Sequence, residues 1–308
     1  MFELHTSDFD PCPARTLLKR DGKFSGESGT ALVRGLVTHK ALEIMHIAAK
    51  SELPTTVTSV VNAAVPIIMS ELEEQGRVTS ESVDSNMDKM VKEIHTIVSR
   101  YKERMLPLAE RYNVLGVEVP IYWELSEDVH LSSHLDLLMH DPESDTIIAW
   151  DWKWRKDSLA VTDLSRNMQL ACYWACLKGT GQIQVDCKIP ESWEYSGEGW
   201  VTPKSENVLV SWIDLPSLKP YSRAVTTYED GNAVQHKKGD DRPLDRIIRT
   251  PIFHDSQINN IRNAALTRAD LIMNRIPLYI PQGCSHCECE AWCPRFDMPS
   301  EGSVEVTF

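Results

Sequence analysis

The chain has 308 residues, 42% hydrophobic and 25% charged, enough to bury a full core and ordinary for a soluble globular protein. Its formal net charge of -13 argues against a nucleic-acid protein, since phosphate binding wants a basic footprint. No run approaches the ~18 apolar residues of a membrane span, and Met1-Phe-Glu-Leu-His-Thr6 has no signal-peptide pattern, so the eight cysteines read as thiols or metal ligands in a reducing, intracellular compartment.

Residues 1–29 read as irregular, centred on Asp10-Pro-Cys-Pro13, where Cys12 sits in an extended turn. Residues 30–50 read as an amphipathic helix with Leu32, Leu36, His39 and Leu42 near one stripe. A lone helical histidine is normally a hydrogen-bonded core residue, and His46 reads as packing or surface. Residues 54–76 and 80–112 read as two further helices that serve packing. Acidic residues gather there, from Glu71 to Glu93, whereas basic residues gather at Lys153, Arg155 and Lys156 and again from Lys237 to Arg249. A local groove can therefore be positive on an acidic protein.

From residue 114 the pattern changes to strands. Val114–Trp123 is a β run with Glu118 in its middle; Pro120 points to an edge position or the end of a ladder. Glu118 is either a site residue or an edge-strand charge. Leu131–Met139 is a second strand, with Asp136 between leucines, and Asp141-Pro-Glu-Ser-Asp145 is a turn that makes a hairpin with the third strand. That third strand, Thr146–Trp154, is an apolar run that ends in Asp151 and Lys153, two apart and so on one face. Burying a carboxylate and an ammonium is expensive unless they have a partner or a task. A hairpin that sets Asp136 beside Asp151 makes a site for a hard divalent cation, with Lys153 next to it to hold and polarise a water.

Residues 162–178 read as a helix with Thr162 as N-cap. Gln169 and Tyr173 share one face of it, and Cys172 and Cys176 read as core filling. Strands near 182–188 and 206–214 complete a mixed sheet. Residues 216–254, with His236, Lys237 and Lys238, read as a solvated loop or a DNA-contacting flap, and 255–275 as a helix. The end of the chain carries Cys284, Cys287, Cys289 and Cys293 within ten positions. Thiols this dense read as metal ligands, and His286 or Cys289 could help make a zinc site.

Asp136 followed by Asp151-x-Lys153 resembles the core motif of the PD-(D/E)XK nuclease superfamily. More narrowly, it is similar to RecB-type nuclease domains with an iron–sulfur cluster, which include AddB-like nucleases, exonuclease V and CRISPR-adaptation nucleases. Gly35-x-x-x-His39-x-x-x-Glu43 ahead of the strands and Gln169-x-x-x-Tyr173 after them stand in the family's order; Ser133 replaces the usual glycine three residues before the first acid.

The resemblance implies an α/β fold, a restriction-endonuclease-like mixed central sheet flanked by helices. It implies one domain over 1–308: a helical part (30–112), a catalytic sheet and helix (113–215), and two ends (1–29 and 255–308) joined at the cluster. A [4Fe–4S] cluster would be held by Cys12, Cys284, Cys287 and Cys293. Mg²⁺ or Mn²⁺ would be held by Asp136, Asp151 and the Trp152 carbonyl, with His39 and Glu118. Lys153 would orient the water, and Gln169 and Tyr173 would hold Lys153 or the DNA strand. The implied activity is exonucleolytic cleavage of single-stranded or frayed DNA in recombination, repair or replication. The rival is a non-catalytic DNA-binding or recombination subunit with the same fold and cluster.

Overall fold

Four strands build the centre of the molecule: β1 (Phe2–His5), β2 (Asn113–Ser126), β3 (Val129–Asp141) and β4 (Thr146–Lys153). They come from a computed structural model that describes residues 1–9, 12–22, 30–75, 87–154, 164, 166–185, 187–229 and 232–276. The β3–β4 hairpin forms as its turn chemistry demands. The Asp141 carboxylate accepts from the Glu143 amide at 3.0 Å and from the Ser144 hydroxyl at 2.7 Å. Asp145 closes the turn at φ 46°, a left-handed backbone that short polar side chains tolerate.

Further strands extend the sheet: β5 (Gln182–Gln184), β6 (Glu194–Gly197), β7 (Trp200–Thr202), β8 (Asn207–Asp214) and β11 (Ile248–Arg249). Among the described residues the order is β11-β8-β4-β3-β2-β5-β7-β6, with β1 beside β3. The sheet is mixed, because β4 pairs with β8 in parallel whereas β2, β3 and β4 are antiparallel. β4 is covered on both sides and both edges, which explains why seven of its eight residues are buried. β9 (Val225–Glu229) and β10 (Asn232–His236) form a separate hairpin.

Helices cover both faces. On one side lie α2 (Thr30–Lys50), α3 (Val57–Glu74) and α4 (Met87–Arg104), packed on Leu137, Met139, Ile148, Trp150 and Trp152. On the other lie α6 (Met168–Ala175) and α7 (Ile258–Met273), packed on Leu135, Leu138, Ile147, Ala149 and Trp212, with Leu17 of α1 (Pro13–Arg20) joining them. α3 starts at a reciprocal cap: the Ser59 amide donates to Thr56 Oγ1 at 3.0 Å and the Thr56 amide to Ser59 Oγ at 3.1 Å.

Several expectations need correction. The segment 1–29 is not irregular throughout, since it carries β1 and α1. β1 buries only Leu4 and gains its structure from pairing with Val129–Ser132, too distant in sequence for a local reading. The 80–112 helix is divided: α4 ends at Arg104 and a short α5 (Leu106–Ala109) follows, because Pro107 has no amide to continue the ladder; residues 80–86 lie outside the described residues. α6 begins only at Met168, with Asn167 as its cap accepting the Leu170 amide at 3.1 Å; Thr162, the expected cap, lies outside the described residues. Pro120 is in an interior strand, but β5 pairs with β2 only at Ile121 and Tyr122, so the missing amide costs no ladder bond toward β5.

Behind the hairpin, three aromatic rings lock the two layers. Tyr101 of α4 shares its hydroxyl with His46 Nε2 at 2.8 Å and accepts the Trp152 indole N–H at 3.2 Å. His46 stacks on Trp152 with 5.7 Å between ring centres, and burial holds its pKa down at about 4. All three are buried. Tyr101→Phe strands two buried polar groups and is expected to lower unfolding stability by about 1–3 kcal/mol. Urea unfolding at neutral pH checks this; an unchanged midpoint and slope would contradict it.

Candidate active site

The β3–β4 ladder stops at Leu137 opposite Trp150. One step further the same register sets Asp136 opposite Asp151, and the β2–β3 register sets Glu118 opposite Asp136. Three acids therefore occupy one row across three adjacent strands. The ladder ends here because β3 changes neighbour: its first half pairs with β1, its second half with β4. Asp136 fills the fork between them, its carboxylate accepting the Trp152 amide that no longer meets β3 backbone.

Glu118 has φ 51° in the middle of β2. A non-glycine residue in left-handed backbone inside a strand is strained, by about 1–3 kcal/mol, and such strain persists where the surroundings impose it. From α2, His39 Nδ1 reaches to 3.6 Å from Asp136 Oδ1. One ligand atom from each of His39, Glu118 and Asp136 lies within 4.8 Å of the others, a candidate metal site. These three residues line a cleft of about 480 Å³ with Lys40, Glu43 and His134. Gly35, one turn before His39, faces the end of β4: a Cβ there would stand 3.9 Å from that of Trp154, an ordinary van der Waals contact.

Asp151 and Lys153 share a face, as their spacing predicts, and Lys153 Nζ donates to Asp151 Oδ1 at 2.7 Å. The other oxygen, Asp151 Oδ2, is buried with no hydrogen-bond partner. Asp151 stands beside the His39–Glu118–Asp136 group but is not one of its three members. From Trp152, the amide N–H engages Asp136.

The charges are poorly balanced. Burial pushes the Glu118 carboxyl up to about 7, reinforced by the Asp136 charge. Burial likewise raises Asp151 to about 6 against the pull of Lys153, with the Asp136 charge adding to the rise. Asp136 is the exception. Burial opposes its ionisation, but His39, Lys153 and the Trp152 amide outweigh burial and hold its pKa below the ordinary value. Burial would favour neutral Lys153, but Asp151 and Asp136 override it and keep the ammonium. His39 is raised for the same reason, burial being outweighed by Asp136. A cluster of hard oxygen donors plus one imidazole, with an unpartnered buried carboxylate oxygen and two carboxyls held above their usual range, fits a divalent cation.

Gln169 and Tyr173 do come together, Gln169 Nε2 donating to the Tyr173 hydroxyl at 2.7 Å. Their hydrogen bonds run to β3, and Tyr173 also lies close enough to Lys153 for the two to interact electrostatically. The Tyr173 hydroxyl donates to the His134 carbonyl at 2.9 Å and lies 3.1 Å from Ser133 Oγ, which in turn is 2.6 Å from Thr6 Oγ1. The serine in the position of the family's glycine is thus a link in a chain of hydroxyls from the first residues to α6. Sequence reasoning passed over Thr6 and His134. His134 had a detectable signal, lying two residues before Asp136 on the same strand.

Cys172 and Cys176 are buried core residues, and Cys187 Sγ is 3.1 Å from the Leu115 carbonyl. Cys12 precedes α1, its carbonyl accepting the Thr16 amide at 3.2 Å. Cys284, Cys287 and Cys293 lie outside the described residues, as do His286 and Cys289.

The sequence profile of the PD-(D/E)XK nuclease superfamily matches residues 5–294. No curated protein matches the chain.

Because Glu118 binds its proton more tightly in the fold than in the unfolded chain, it stabilises the metal-free protein at pH 4.5 and below, and this is lost as pH rises through 7. Without divalent metal, wild type should therefore lose stability relative to Glu118→Gln between pH 5 and pH 8, by on the order of 1–3 kcal/mol. Thermal unfolding of both proteins in EDTA tests it; parallel pH profiles would show that Glu118 does not titrate in this range.

Proposed function

The chain belongs to the PD-(D/E)XK nuclease superfamily, and from that premise we propose a divalent-metal-dependent nuclease that hydrolyses DNA phosphodiesters. The observation that carries the reading is the row Glu118–Asp136–Asp151, with Lys153 paired to its last member and Asp151 Oδ2 left without a partner. A site meant only to bind a strand has no reason to crowd buried carboxylates in this way.

His39, Glu118 and Asp136 would hold Mg²⁺ or Mn²⁺, with Asp151 and the Trp152 carbonyl completing the set. Such an ion, when bound, acts as a Lewis acid on a phosphoryl oxygen and lowers the pKa of water. Lys153 stays protonated beside Asp151, so it orients a water and offsets charge that builds on the phosphate. It is not a base in this state. Gln169 and Tyr173 act one step back, fixing the β3 backbone at His134, two residues from Asp136. The substrate is taken as single-stranded or frayed DNA cut from an end, in recombination, repair or replication.

We further propose that Cys12, Cys284, Cys287 and Cys293 bind a [4Fe–4S] cluster of the RecB-like type, four thiolates being its ordinary ligand set. Supporting this, α1 begins directly after Cys12 and packs on α7, the last described helix before the C-terminal cysteines. Arg275, just past α7, makes a two-pronged contact with Asp21 at 2.6 and 3.2 Å. The described residues that follow Cys12 and those that lead toward the C-terminal cysteines are thus neighbours.

Asp151→Asn and Lys153→Ala are each expected to reduce Mn²⁺-dependent cleavage of labelled single-stranded DNA by roughly 10²–10³-fold, with unchanged circular dichroism. EDTA should abolish wild-type cleavage. Full activity of the Lys153 variant would sink the mechanism. The anaerobically purified protein should be brown, and Cys287→Ser should bleach it; a colourless protein holding stoichiometric zinc would overturn the cluster.

A further inference from the structure

A second charged site lies beyond the acidic row. A pocket of about 480 Å³ is formed where the 3₁₀ turn Leu215–Leu218 meets β9 and β11, and Arg242, Arg246 and Arg249 all line it, with Ser217, Tyr221 and Thr226. Three guanidinium groups around one small cavity repel each other unless an anion is shared among them.

Arg249 is partnered by Asp214 at 3.9 Å and by the Arg246 carbonyl at 3.3 and 3.4 Å, so the imbalance lies with the other two arginines. Among the described residues no carboxylate lies within ion-pair distance of Arg242 or Arg246, and the nearby acids are engaged elsewhere: Asp241 with Arg100 at 2.9 Å, Asp240 with the Lys237 amide at 2.6 Å. The Arg242 Nε is buried without a hydrogen-bond partner. Yet the side chain is held in place. It lies over the Tyr221 ring at 5.3 Å, donates to Ser217 Oγ at 3.3 Å, and its carbonyl accepts from Arg104 at 2.7 Å. Tyr221 is itself stacked on His236, 4.7 Å between centres. A cation fixed this firmly and left without a counter-charge is pre-formed for an oxyanion.

The pocket's position says which one. Across the sheet, Asp151 pairs in register with Trp212, and Trp212 with Arg249. Arg249 is therefore two strands from the acid, roughly 10 Å of backbone at ~4.8 Å per strand. Lys153 Nζ lies 5.9 Å from the centre of the Trp212 ring between them. We propose that this arginine pocket binds a backbone phosphate of the nucleic-acid strand, a few linkages from the bond placed at the acidic row. The assignment rests on the nuclease reading for the identity of the strand, not for the presence of an anion site. It also explains how a chain of net charge -13 engages a polyanion, by one concentrated basic pocket.

The test separates binding from cleavage. Fluorescence anisotropy with a labelled 12-nucleotide single strand in EDTA measures affinity without chemistry, for wild type, Arg242→Gln and the less packed Arg246→Gln, each checked for its melting temperature. Each variant is expected to bind about tenfold more weakly on any sequence, and to reduce the slope of log affinity against log salt by about one. Mn²⁺-dependent hydrolysis of bis(p-nitrophenyl) phosphate, too small to span both sites, should be unaltered in Arg246→Gln. Unchanged affinity and salt slope in a folded Arg246→Gln would overturn the proposal even if the enzyme cuts DNA. Millimolar inorganic phosphate that shifts the melting temperature without displacing the oligonucleotide would likewise overturn it, since the pocket would then serve a free anion. Arginine-dependent binding by a protein that never cuts would leave this pocket standing and refute the nuclease instead.

Discussion

The crowding of negative charge at the end of one hairpin is the constraint on which the rest depends. Two like charges about 5 Å apart repel by about 3 kcal/mol at an effective dielectric constant of 20, and here three carboxylates stand in a row on neighbouring strands. The fold tolerates this by dividing the labour. Asp136 is satisfied by His39 and by the Trp152 amide, Asp151 by Lys153 on one oxygen only, and Glu118 feels the charges of His39 and Lys40 but burial outweighs them. What remains unbalanced is the capacity to bind a cation. The supporting shell is correspondingly stiff, with the Tyr101–His46–Trp152 ring cluster behind β4 and the Tyr173 hydroxyl network beneath β3.

The fork that exposes Asp136 exists because two strands share one edge of β3. A continuous β3–β4 ladder would pair the Trp152 amide with backbone and leave its place opposite Asp136 closed. β1 takes over that edge at Val129–Ser132, and the short 3₁₀ turn that follows it brings Thr6 to Ser133. The strand that carries Asp136 is therefore held in part by β1 and the turn after it.

Much of this was readable from local pattern. The Asp-x-Lys spacing fixes a common face, and the Asp141–Asp145 turn dictates a hairpin and with it the side-by-side placement of Asp136 and Asp151. α2, α3 and α7 show helical periodicity, and β8 shows an apolar run. Non-local features were illegible. β1 is four residues with one buried side chain, and nothing in Phe2-Glu-Leu-His5 announces a partner at 129–132. The positive φ of Glu118 is a tertiary effect on a residue type that does not seek it. The β9–β10 hairpin did have a signal, the Asp230-Gly231 dipeptide between two strands, which the basic, proline-bearing surroundings obscured. The role of Tyr173 was half legible: helix spacing sets it beside Gln169, but only the solved packing shows that it grips the backbone of β3.

The placement of β1 also has a consequence in time. β1 is made before the other described strands of the sheet, and the serine that Thr6 meets is made 127 residues later. At 5–20 residues per second, that is a wait of roughly 6–25 seconds with the segment unpaired. The helices α2, α3 and α4 lie within that interval and contact one another, so they can collapse before the sheet has any partner for its earliest strand. β1 has no strand of this sheet to pair with until β3, its partner at Val129–Ser132, has been made.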